Sequence, residues 1–125
     1  MVLGGEEMIR AFAYLKNFSD KWDDLELTDD DLSLLEQHLL KNPSAGKVIK
    51  GTGGLRKLRW ELPNTGKRGG IRVLYVDVVI QEVIYMVDLF PKSIKEDLTN
   101  AEKNAIKQLV KELKTWKNKR ILKAL

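Results

Sequence analysis

KVIKGTGGLRKLRWELPNTGKRGGIRVLY, residues 47–75, is the stretch whose reading decides the fold. Eight basic side chains stand in it (Lys47, Lys50, Arg56, Lys57, Arg59, Lys67, Arg68 and Arg72) against one acid, Glu61. The local balance is +7 in a chain whose total is +4, so the remaining residues sum to −3 and the positive charge is a patch. Cations at this density repel one another. The usual reason for keeping them together is a polyanion, most often a phosphate backbone. The plainer reading is a solvated basic face with no partner.

The two halves of the stretch differ in geometry. In LRKLRWEL, residues 55–62, Leu58, Trp60 and Leu62 fall on one face with Arg56, while Lys57, Arg59 and Glu61 fall on the other. Period two with a Trp/Leu face predicts a half-buried strand. Residues 71–79 are β-branched and apolar and predict a more buried one. Pro63-Asn64-Thr65-Gly66 and Gly69-Gly70 between them are turn chemistry. A hairpin here puts Arg56, Lys57 and Arg59 on one strand, Lys67 and Arg68 in the loop and Arg72 at the start of the next strand. Six cations are then expected around one edge of a small sheet.

Downstream, VIYMVDLF at 83–90 reads as a third apolar strand after a turn near Ile80-Gln81-Glu82, and Pro91 ends it. Both of its faces are apolar, so helices are expected to cover the sheet. Ser93-x-x-Glu96 and Thr99-x-x-Glu102 are consecutive capping boxes. The second opens a long helix with an apolar stripe of Ile106, Leu109, Val110, Leu113 and Trp116, and lysines crowd its C-terminal turns.

Upstream, Thr28 before Asp29-Asp30-Asp31 caps a helix lined by Leu32, Leu35 and Leu39 and ended by Lys41-Asn42-Pro43. The three Asp residues are not a calcium loop. Such a loop needs Gly at its sixth position and an acid at its twelfth, and counting from Asp29 those are Leu34 and Leu40. Before it, Asn17 or Ser19 is expected to cap a short helix carrying Phe18, Trp22 and Leu25. MIRAFAYL at 8–15 fits a strand or a helix. Met1 to Gly5 are read as a flexible start outside the fold. The order is βααβββα, or ααβββα without the first strand. Consecutive strands with short turns make an antiparallel sheet, and the class is α+β.

At 125 residues, 43% hydrophobic, the chain suits one domain with one core. It contains no cysteine, which removes disulfides, thiolate metal sites and thiol nucleophiles and suits a reducing compartment. No apolar run approaches the roughly 18–20 residues of a membrane span, and MVLGGEEMIR lacks the layout of a secretory signal. Gly51-Thr52-Gly53-Gly54 resembles a phosphate-cradling loop but lacks the Gly-Lys-Ser/Thr ending. No G-x-G-x-x-G occurs, so ATP and dinucleotide functions are set aside. The one histidine, His38, sits mid-helix outside the basic stretch and is read as a surface residue, not an acid or base.

GTGGLRKLRW, then GKRGGIRVLY, then an apolar strand ending in FPKSIKEDLTNAE, resembles the RelE superfamily of bacterial type II toxin–antitoxin toxins, and within it the HigB-like branch. The resemblance spans about residues 18–113. It implies a compact α+β fold with a first strand at 8–15, one toxin domain over 1–125, and metal- and cofactor-independent cleavage of mRNA in the ribosomal decoding site. It also implies a cytoplasmic protein neutralised by a cognate antitoxin. Carried over position by position, it marks Lys57, Arg59, Arg72 in GGIR and Lys92 in FPKS as catalytic, with Arg56, Lys67, Arg68 and Lys50 extending the RNA-binding patch. Some relatives also have a tyrosine or histidine in the C-terminal region; residues 93–99 have neither.

The chemistry agrees with this carry-over. Metal-free RNA cleavage needs cations around a phosphate that gains charge and a proton acceptor and donor near neutral pH. Like-charge crowding would suit Lys57 to act as the base, a role closed to arginine. Two other readings stand beside it. One is a ParE-type toxin that shares the fold and poisons DNA gyrase. The other is a non-catalytic RNA-binding module, disfavoured because Trp60 is the one aromatic before Tyr75 in the basic stretch and faces the core. Tyr75 is expected in the core, opposite Arg72.

Overall fold

The computed structural model describes residues 9–62, 70–95 and 97–115. The elements follow in the order β1 (Ala11–Tyr14), α1 (Lys16–Asp24), α2 (Asp29–Lys41), β2 (Lys47–Val48), β3 (Arg56–Trp60), β4 (Ile71–Val78), β5 (Val83–Pro91) and α3 (Asn100–Thr115), with a 3-10 turn at Val79–Gln81 before β5. The α+β class and the two-helix, sheet, one-helix order follow the expectation. The start at 1–5, the hairpin loop with Lys67 and Arg68, Glu96 and Trp116 lie outside the described residues. None of the described helices is long and apolar enough to cross a membrane.

Five strands form one sheet in the order β1-β5-β4-β3-β2. Neighbours from β2 to β5 are antiparallel, but β1 runs parallel to β5, with Ala11 opposite Val83 and Tyr14 opposite Met86. The sheet is therefore mixed where an all-antiparallel one was expected. The reason is connectivity: α1 and α2 carry the chain away from β1, and the hairpins β3-β4 and β4-β5 bring β5 back to it in the same direction. The Gly-rich connector also differs from expectation, because Lys47–Val48 pairs with β3 as a short edge strand.

Alternation divides the core between the two faces of the sheet. Leu58, Ile71, Val73, Tyr75, Ile84, Met86 and Leu89 pack with Phe18 and Trp22 of α1 and Leu35 and Leu39 of α2. Leu74, Val76, Val78, Tyr85, Val87 and Phe90 pack on the other side with Val110 and Leu113 of α3. In β5 the inward set changes from even to odd numbers between Met86 and Leu89. A bulge does this: Leu74 pairs with Asp88 and Tyr75 with Met86, so Val87 is the extra residue. Without it, Phe90 would turn away from Arg72.

Local signals set the helix starts. Thr28 and Asp31 make a reciprocal capping box for α2, and Thr99 and Glu102 make one for α3. At α1 neither Asn17 nor Ser19 caps. The N-cap is Leu15, without a side-chain bond, and the helix is placed by its buried Phe18 and Trp22. Arg10 reaches Asp77 on the flank of β4, with Nε 2.7 Å from Oδ1 and Nη2 3.2 Å from Oδ2, which ties the chain just ahead of β1 to the sheet.

Candidate functional site

Strand register brings the cations together. Lys57 pairs with Lys47 on β2 and with Leu74 on β4; Arg59 pairs with Arg72, and Arg72 with Phe90. Cross-strand partners share a face, so Lys47, Lys57, Arg59 and Arg72 all lie on the α3 side of the sheet, in neighbouring rows. Lys92 joins from the turn after β5, where its backbone N–H donates to Gly70 O at 3.3 Å, two residues before Arg72. Gly70 is required there. Its φ is +61°, and a Cβ would come within 2.3 Å of Trp60 O. The four candidate catalytic residues thus come from two adjacent strands, β3 and β4, and the turn that follows β5.

They differ in environment. Arg72 is buried, 2% exposed, and stands between Arg59 and Phe90 in the sheet. Arg59 and Lys92 are exposed and form no ion pair among the described residues. Lys57 is half-buried and donates to Asp97 Oδ1 at 2.7 Å. That hydrogen bond, first, and the charge of Lys57, with smaller help from Lys103 and Arg59, hold the Asp97 carboxyl below its usual range. Ala45, Lys47, Lys57, Leu58 and Arg59 line a concavity of about 470 Å³ beside this group. A somewhat larger apolar groove, about 490 Å³, lies apart from it between α1, the end of β5 and the start of α3.

The wider patch is not one surface. Arg56 lies on the opposite face, in a row with Tyr75, and its Nη1 donates to Gly46 O at 2.7 Å and Ser44 O at 3.4 Å. It braces the loop ahead of β2. The Tyr75 hydroxyl supports the same loop, donating to Pro43 O at 2.7 Å and accepting from Gly46 N at 2.9 Å, so Tyr75 is core as expected. Lys50 is exposed on the turn after β2. Lys67 and Arg68 lie outside the described residues. His38 packs on Trp60, ring centroids 5.1 Å apart, on the α2 side of the sheet. Asp97 carried no sequence signal, because a lone acid in a loop ahead of a helix reads as capping chemistry.

Residues 16–125 match the family described as the RelE toxin of the RelE / RelB toxin-antitoxin system. The chain belongs to the RelE toxin family. Membership implies an antitoxin partner. The fold agrees: the structure of the E. coli toxin RelE, a double arginine-to-alanine mutant in the free state, is similar with a TM-score of 0.50. That likeness covers 70% of this chain and 88% of that one at 14% identity. In this RelE-family toxin, then, Lys57, Arg59 and Arg72 share one face of the sheet, and Lys92 stands beside them on the turn after β5.

Proposed function

We propose that this toxin, read as one domain over residues 1–125 and as HigB-like within its family, is an endoribonuclease that cuts mRNA in the decoding site of the ribosome, in the cytoplasm. The observation that carries the reading is the row Arg59–Arg72 with Lys57 and Lys92 beside it. Like charges in register destabilise a sheet, and an RNA phosphate bound beside them offsets that repulsion.

In the proposed reaction the 2′-oxygen attacks phosphorus, the bond from phosphorus to the 5′-oxygen breaks, and a 2′,3′-cyclic phosphate and a 5′-hydroxyl result. The proton of the 2′-hydroxyl leaves to a base, and the leaving oxygen gains one. Arg59 and Lys92, exposed, meet the non-bridging oxygens. Arg72, buried at the floor, adds a cation in a low-dielectric setting where charge stabilisation is strongest. The base role expected of Lys57 gives way to a donor's: its ammonium donates to Asp97, and its part is to move that donation to the phosphate. Substrate orientation by the ribosome supplies what this sparse set of acids and bases does not.

The test is induction of the chain in a bacterial host, with primer extension mapping of mRNA 5′ ends. Cuts inside translated frames that vanish when translation is blocked are expected. Growth arrest with intact mRNA and a DNA-damage response would overturn the reading in favour of gyrase poisoning.

A further inference from the structure

Helix α3 carries Lys103, Lys107, Lys111 and Lys114. At 3.6 residues per turn these spacings of four, four and three put all four on one flank, within about a quarter of the circumference. The flank has a definite place. Lys114 Nζ donates to Gly53 O at 2.6 Å, and Gly53, Asn104, Lys107, Gln108, Lys111 and Lys114 line one shallow hollow with Val110 at its base. It therefore faces the Gly-rich turn that carries Lys50. At its other end the Lys103 backbone N–H donates to Thr99 O at 2.9 Å, which places Lys103 in the first turn of the helix; Thr99 stands two residues after Asp97, which accepts from Lys57. The stripe runs from the cationic site along the helix to the turn at 50–54.

Lys103, Lys107 and Lys111 form no ion pair among the described residues. The helix has two acids. Glu102 is engaged at the cap with Thr99 and Lys95, and Glu112 lies on the far side of the helix. The exposed flank otherwise offers Asn104 and Gln108. It has no apolar residue to anchor a protein partner, and described α3 has no aromatic on which an unpaired base would stack. Lysines recur about every 6 Å along the axis, comparable to the phosphate-to-phosphate step of an RNA strand.

We propose that the α3 lysine stripe is a second, sequence-independent docking track for the phosphate backbone of a structured RNA helix, continuous with the cleavage site. This rests on the RNA-directed reading of that site. It assigns α3 the task of holding the toxin on folded RNA while the sheet cations act on a single strand.

The test is equilibrium binding of the purified full chain to a blunt RNA duplex, followed by fluorescence anisotropy across a potassium chloride series. Wild type is compared with K103Q/K107Q/K111Q, with K103R/K107R/K111R and with Arg59→Gln. The glutamine triple variant is expected to weaken binding and lower the slope of log K against log salt by about 2 to 3, at a little under one per phosphate contact. The arginine triple variant is expected to restore the slope, and Arg59→Gln to keep most of it. An unchanged slope in the glutamine variant overturns the track, as does tighter binding to poly-glutamate than to the duplex. Duplex binding that depends on the stripe, in a chain that cuts no mRNA, supports the track and counts against the cleavage reading alone.

Discussion

Arg59 and Arg72 are directly opposed partners on β3 and β4, one exposed and the other buried. A like-charged pair in register destabilises a sheet. Arg59→Gln is therefore expected to raise the denaturant midpoint slightly while abolishing mRNA cleavage and growth inhibition. Urea melts and growth curves of the same variant check both halves, and retained toxicity removes Arg59 from the site.

Asp97 occupies the ammonium that a phosphate would need. Asp97→Asn is expected to tighten binding of a short single-stranded RNA a few-fold at low salt, read by anisotropy; weaker binding would instead make Asp97 a positioning group. Acid titration follows from the same contact. A carboxyl whose folded pKa is depressed contributes its stabilisation above the unfolded value, about 3.9, and loses it as pH falls through the folded value. The Asp97 midpoint by NMR should lie below that of a free aspartate and return towards it in Lys57→Gln.

Gly70→Ala forces a Cβ against Trp60 O at a backbone angle that alanine avoids. The cost should exceed about 1 kcal/mol. The strained end of the hairpin carries both Arg72 and the Lys92 turn, so cleavage should fall further than the loss of folded protein explains. Chemical melts and cleavage per folded molecule separate the two.

Tyr75→Phe leaves the Pro43 carbonyl and the Gly46 amide without their hydroxyl partner, at about 1–3 kcal/mol. Burial, first, holds the Tyr75 phenol above its ordinary range. For a group kept neutral, the stabilisation is complete below the unfolded pKa, near 10, and is lost as pH rises through the higher folded value. Tyrosinate absorbance should therefore appear late and together with alkaline unfolding, and the unfolding should shift when Tyr75 is replaced.

Much of this was legible from residue periodicity. LRKLRWEL names its strand and both of its faces, and Thr28 and Thr99 announce two helix starts. β2 was not legible, because two exposed residues have no period to read; only the partner strand defines them. Nor was the direction of β1, which is a property of where β5 returns. At the site, alternation separates Lys57 and Arg59 from Arg56, but the attachment of Arg56 to Gly46 O depends on a loop whose path the sequence does not encode locally. Asp97 is brought to Lys57 across 40 residues by the turn after β5, and no spacing rule reaches that far.

The parallel pairing of β1 with β5 has a consequence for biosynthesis. Ala11 must wait for Val83, and Leu15 for the carbonyl of Met86, before either finds its backbone partner. Contacts so distant in sequence form late, and the chain emerges N-terminus first. Throughout most of its own translation the nascent toxin therefore has an N-terminal strand with no β5 to pair with and a first helix without the β5 side chains of its core cluster. Arg72 and Lys92 reach their places only when the last third of the chain is made. The proposed site is thereby kept unassembled for most of the time that the toxin is being made.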